Sequence, residues 1–139
     1  MPSTYLDSQS MYVDKDSMTG IAAVTAGTDA AYTLTSEDSG RVYIATASSG
    51  TQTYTLPAVA AGLIFTFVCG HASGEILVNP TGSVVINTKA ANAGAAVATA
   101  AGTGIKNTAA TNILGDSVVL VCDGTAWYTV NQSGIWASQ

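Results

Sequence analysis

From Tyr32 onward, apolar side chains recur in short runs interleaved with Thr, Ser and Asn, and most runs stop at a glycine or a proline. Alternation with a period of two is the mark of a half-buried strand, and Gly supplies the positive φ that tight turns need. The pattern predicts strands at 21–25, 32–35, 41–46, 53–56, 63–69, 75–79, 83–88, 117–122 and 127–131. Turns are expected at Asp38-Ser39-Gly40, Ser49-Gly50, Ala61-Gly62, Ser73-Gly74, Thr81-Gly82 and Asp123-Gly124. Pro57 and Pro80 end their runs, as residues that cannot donate to a central ladder. Asp123-Gly124, between VVLVC and AWYTV, is the strongest hairpin signal in the chain.

Short strands at this spacing indicate an all-β fold: an antiparallel β-sandwich or barrel of about eight to ten strands. The chain divides into an extended N-terminal arm (1–20) and one β domain (21–139), a length that fits a single domain. The arm has no period but carries Tyr5, Leu6, Met11, Tyr12, Val13 and Met18 in an acidic background. A frayed terminus rarely holds so many large apolar side chains, so the arm is expected to dock on a neighbour. Residues 88–112 are Ala-rich and low in complexity, without an apolar stripe at helical spacing; they read as a long loop with a brief strand near Ile105.

Two strands are apolar on both faces. In one, Leu63, Phe65, Phe67 and Cys69 oppose Ile64 and Val68; in the other, Val118, Leu120 and Cys122 oppose Val119 and Val121. An antiparallel strand with one wet face should alternate. The second faces are therefore expected to meet further chain or another subunit, and Val119 and Val121 are placed in an oligomer interface.

Composition narrows the functions. Charged residues are 9% of the chain, against about 25% in an average domain, and the net charge is −5. Lys15, Arg41, Lys89 and Lys106 lie far apart, which argues against nucleic acid, whose binding needs clustered cations. No run approaches the roughly 18 apolar residues of a spanning helix, so no membrane partner is expected. The first residues lack the basic and apolar regions of a signal peptide, which predicts synthesis in a cytoplasm and exit, if any, by a route such as lysis.

Candidate chemistry is thin. Cys69 and His71 stand two apart, but strand neighbours at that spacing point in parallel, a poor arrangement for activating a thiolate. Two cysteines and one histidine without a neighbouring carboxylate make a poor zinc site. A Cys69–Cys122 disulfide requires the two strands to be neighbours, and free thiols suit a cytoplasmic origin better. Asp14-x-Asp16 lacks the third oxygen ligand and the glycine of a calcium loop, because Met18 and Thr19 stand there. Gly102-Thr103-Gly104 lacks the strand–helix context of a dinucleotide loop, and Asn131-Gln132-Ser133 is a sequon without a secretion signal. No catalytic residue, metal or cofactor is expected. Trp127, Tyr128 and Trp136 offer either a sugar-stacking platform or ordinary core packing.

Several segments in order resemble the head decoration (cement) proteins of tailed bacteriophages. They are Tyr32-Thr-Leu-Thr, Asp38-Ser-Gly-Arg-Val-Tyr43, Tyr54-Thr-Leu-Pro57, Ala61-Gly-Leu-Ile-Phe-Thr-Phe-Val68, Gly115-Asp-Ser-Val-Val-Leu-Val121, Asp123-Gly-Thr-Ala-Trp127 and Gly134-Ile-Trp136, spanning roughly 30–137. The resemblance implies a homotrimer on the outer surface of the expanded head, bound to the major capsid protein and resisting internal DNA pressure, with no catalytic residues. The arm side chains Tyr5, Leu6, Met11 and Tyr12 and one end of the domain are expected to contact the capsid. The alternative is a receptor- or glycan-binding module of a fibre or spike, which needs Trp127 or Trp136 exposed.

Overall fold

The computed structural model describes residues 21–22, 31–81, 86–89, 96–98 and 104–139, with 21–22, 86–89, 96–98 and 138 described by their backbone alone. Its strands are β1 (Ile21–Ala22), β2 (Ala31–Thr33), β3 (Val42–Ala45), β4 (Thr51–Thr55), β5 (Ala61–Cys69), β6 (Glu75–Asn79), β7 (Ile86–Lys89), β8 (Ala96–Ala98), β9 (Ile105–Asn107), β10 (Ser117–Asp123), β11 (Trp127–Ser133) and β12 (Ala137–Ser138). A single 3₁₀ turn at Ser36–Asp38 is the one helical element among the described residues. The arm, with Tyr5, Leu6, Met11 and Tyr12, lies outside the described residues, as does Asp14-x-Asp16.

The strands form two open sheets, ordered β1-β3-β5-β10-β11-β7-β8 and β12-β9-β6-β4-β2, so the all-β expectation holds as a sandwich-like pair and not as a closed barrel. The expectation of antiparallel sheets does not hold. Both sheets are mixed: β1, β3 and β5 run parallel in one, and β2, β4 and β6 run parallel in the other. The reason is in the path of the chain. From β1 to β6 successive strands alternate between the sheets, so each return to a sheet follows a crossover through the opposite one, and every return is parallel. The first half is thus a short coil whose turns stack like those of a solenoid.

A 22-residue repeat underlies this coil. Tyr32-Thr33-Leu34 recurs as Tyr54-Thr55-Leu56, and Gly40 recurs as Gly62, with φ of 92° and 89°. Tyr32 pairs in register with Tyr54, and their rings stack at 5.2 Å. Past the strand ends the stacking continues: Leu34 N–H donates to Thr55 O at 2.9 Å, and Leu56 N–H donates to Asn79 O at 2.7 Å.

Antiparallel strands close the coil. β10 pairs with β5 and β11, while β9 pairs with β6. The expected Asp123-Gly124 hairpin is present: Gly124 has φ of 100°, and Asp123 Oδ1 accepts from Thr125 and Ala126 N–H at 2.7 and 2.8 Å. A strand, β8, stands within the segment read as loop, and β9 stands where the brief strand near Ile105 was expected.

Between the sheets Tyr54 meets Tyr43 and Phe67 at ring separations of 5.5 and 5.0 Å, and Phe65 meets Trp127 at 5.7 Å. Alternation does the sorting: Leu63, Phe65, Phe67 and Cys69 of β5 and Val118, Leu120 and Cys122 of β10 are all buried. Gln52, also buried, is satisfied by accepting from Ala47 N–H at 2.7 Å and donating to Tyr54 Oη at 3.3 Å, which pins the turn before β4.

Candidate interaction surface

The residues that face away from this core form the most distinctive surface of the molecule. Register aligns them in rows across β3, β5, β10 and β11. Val42, Thr66, Val119 and Asn131 make one row, and Ile44, Val68, Ser117 and Ser133 a second. Ile64, Val121 and Tyr128 make a third. Within these rows no side chain is charged. Val119 and Val121 are half-buried on this outer face, while Ile64 and Tyr128 are exposed. The two-faced β5 and β10 read in the sequence are therefore real, and their second faces are incompletely covered.

Four strands at about 4.8 Å spacing and three rows deep give a footprint on the order of 400 Å², in which Val42, Ile44, Ile64, Val68, Val119 and Val121 are interleaved with Thr66, Ser117, Asn131 and Ser133. A bulge between Val119 and Leu120 shifts the pairing with β11 and leaves Val130 unmatched in the register, an exposed aliphatic at the edge of the face. Arg41 and Asp123 border the face at its turn end. Arg41 is held by Asp38 at 3.0 Å, and Asp123 Oδ2 accepts from Tyr128 Oη at 3.1 Å. The N–H groups of Ala126 and Thr125 hold the Asp123 carboxyl below its ordinary pKa, and that carboxylate in turn raises the Tyr128 hydroxyl.

The candidate chemistry is not assembled. The Cys69 thiol is buried and its pKa is raised, chiefly by desolvation, and its hydrogen bond runs to His71 O and not to the ring. The His71 imidazole instead turns back to accept from Ser73 N–H through Nδ1 at 3.2 Å. Cys69 and Cys122 are both free and buried. Their strands are indeed neighbours, but Cys69 sits at the Asp116 end of β5 and Cys122 at the Asp123 end of β10. Among the described residues no group of three His, Cys, Asp or Glu gathers to hold a metal.

Both tryptophans are buried, at 0% and 1% exposure, so the sugar-stacking platform expected of the alternative reading does not form at Trp127 or Trp136. Trp136 Nε1–H is tied to Ser133 O at 3.0 Å. Only Tyr128 of that trio reaches the surface, as part of the outer face.

A second feature was not apparent from strand patterning. Ile113 and Leu114 are 67% and 66% exposed on the loop between β9 and β10. Beneath them Asp116, itself buried, accepts through Oδ2 from Asn107 Nδ2 and from Ile113 N–H, both at 3.0 Å. Asn107 Nδ2 also donates to Ile135 O at 3.1 Å, and Gly134, with φ of 81°, lies so close that a Cβ there would collide with the Asp116 carboxyl. Two adjacent aliphatics ahead of a glycine in an otherwise polar loop were the available signal. Compared with known protein families and with curated proteins, the chain matches none of them.

Proposed function

We propose that the chain is a structural virion component, a head decoration protein of a tailed bacteriophage that works by surface fit. In this reading it is a homotrimer joined through the outer sheet face around Val119 and Val121. Its arm residues Tyr5, Leu6, Met11 and Tyr12 bind the major capsid protein on the outside of the expanded head. Bound there, it braces the shell against internal DNA pressure. The observation that carries the reading is the uncharged apolar face across β3, β5, β10 and β11, which suits contact with protein and offers nothing to polarise a substrate. The buried Cys69 thiol and the exposed His71 ring, which accepts from Ser73 N–H and does not meet the thiol, favour a non-enzymatic role. The resemblance over residues 30–137 points the same way.

Three identical weak contacts from one trimer gain avidity, because the second and third are intramolecular. A net charge of −5 keeps coated particles apart. The test is co-sedimentation of the full chain, and of the chain lacking residues 1–18, with expanded and unexpanded heads of the virus that encodes it. The full chain should bind expanded heads selectively, and the truncated chain should stay trimeric but fail to bind. Absence of binding by the full chain would overturn the reading; full affinity of the truncated chain would remove the arm from it.

A further inference from the structure

The two ends of the sandwich differ in charge. At one end the turns 34–41 and 123–126 carry Glu37, Asp38, Arg41 and Asp123. At the other end the described turns are 46–50, 70–74, 108–116 and 133–136, and they contain no Lys, Arg or Glu; their one carboxylate, Asp116, is buried. This end carries Ile113 and Leu114, the most exposed large aliphatics among the described residues, and Ile135, at 36% exposure, on its 133–136 turn.

The loop that presents them is fastened on every side. Thr111 and Asn112 N–H both donate to Thr108 O, at 3.0 and 2.8 Å, and Asn112 Nδ2 reaches Gly74 O across the end of the sandwich. Gly115 N–H donates to Cys69 O and Cys69 N–H to Asp116 O, at 2.8 and 2.7 Å, while Asp116 ties down Ile113 N–H. Gly115 itself has φ of 96°, which turns the chain sharply after the two aliphatics. Solvated loops usually expose polar side chains; this one presents two bulky apolar groups from a hydrogen-bonded backbone, so little backbone freedom remains to be lost on contact.

We infer that this end, led by Ile113 and Leu114, is the surface that seats on the shell, inserting the aliphatic pair into an apolar recess of low charge on the capsid protein. The inference rests on the decoration reading and names the end of the domain that faces the capsid. Among the described residues the turns of this end carry no Lys, Arg or Glu, and Glu75, which opens β6 beside them, is half-buried and accepts from Thr51 Oγ1. Such an end suits a recess of low charge and offers no cation from its described turns to hold nucleic acid or an anionic lipid headgroup. Seated this way, the protein directs Glu37, Asp38 and Asp123 outward to solvent.

The test uses the full chain and an Ile113→Asp/Leu114→Asp variant, each assayed for binding to expanded heads, for flotation with phosphatidylcholine vesicles and for mass by sedimentation velocity. Should the aspartate pair fail to fold, Ile113→Ser/Leu114→Ser serves the same comparison. The expected result is head affinity reduced by about thirtyfold or more, with melting temperature and oligomer mass unchanged and no vesicle binding by either protein. Equal head affinity of variant and wild type overturns the inference alone. Failure of the wild type to bind heads overturns both it and the decoration reading. Flotation of the wild type but not the variant assigns the pair to lipid, and loss of oligomer mass in the variant assigns it to a second copy; either result overturns it.

Discussion

Cys69 and Cys122 point into the same core from hydrogen-bonded neighbours β5 and β10, yet they stand at opposite ends of the pair. Cys69 N–H donates to Asp116 O, and Asp116 precedes Cys122 by six residues, about 20 Å of strand. A disulfide spans Cα atoms less than about 7 Å apart, so the register forbids one. Both thiols are therefore expected to stay reduced in air-exposed protein. Alkylation should add nothing to the native chain within minutes and two labels after denaturation; an intramolecular bridge in non-reduced peptide mapping would refute the register.

Alkali should unfold the protein through its tyrosines. Burial, reinforced by Tyr32 and Tyr43, pushes the Tyr54 hydroxyl far above its ordinary value of 10.0, and burial followed by the Asp38 charge raises Tyr43 as well. Where the folded pKa is raised, the stability it contributes is complete below the unfolded value and drains away as pH rises beyond it, because only the unfolded chain then releases the proton. Stability should thus fall steadily above about pH 10. Phenolate absorbance should include Tyr54 only as the fold is lost; ionisation of Tyr54 near pH 10 in the intact fold would contradict its placement.

The alternation of Val, Ile, Phe and Thr told which side of each strand enters the core, and glycines at Gly40, Gly50, Gly62 and Gly124 marked the turns. Strand direction was less legible, because a period of two is identical in parallel and antiparallel ladders. The Tyr32-Thr33-Leu34 and Tyr54-Thr55-Leu56 recurrence, with Gly40 and Gly62 six residues later, carries the parallel coil. It is easily passed over because only two turns of it share side-chain identity; where Tyr54 pairs onward in register, Val78 stands. Val119 and Val121 were legible as a second apolar face because no polar residue interrupts β10 from Val118 to Cys122. Ile113 and Leu114 were not, since what makes them notable is the Asp116 knot beneath them, which joins residues far apart in sequence.

That knot should be costly to break. Asp116→Ala removes the acceptor for Asn107 Nδ2 and Ile113 N–H. Leaving the buried Asn107 donor unpaired and the partly buried Ile113 N–H to water costs about 1–3 kcal/mol, which in a chain of this size lowers Tm by roughly 4–10 °C. Gly134→Ala strains a backbone at φ of 81° and drives a methyl into the Asp116 carboxyl, and should cost at least about 1–3 kcal/mol. Calorimetry of both variants checks this. Wild-type melting of either one would mean that the carboxylate does not organise this end of the sandwich.

The outer face should respond in the opposite way, losing association and not fold. Val119 and Val121 are only half-buried, so Val119→Asp and Val121→Asp place charge where water can reach it. Their melting temperatures at low concentration should lie within a few degrees of a monomeric reference, with near-wild-type circular dichroism. Complete unfolding of either variant would mean that these side chains belong to the core of the single chain.

The claim that this uncharged face is a contact surface is tested most directly by sedimentation velocity on the purified full chain at micromolar concentration. The account predicts a particle of three 14.0 kDa chains that the Val119→Asp/Val121→Asp double variant dissociates into folded single chains. A wild-type protein that sediments as one 14.0 kDa chain, or an assembly indifferent to both substitutions, would contradict it.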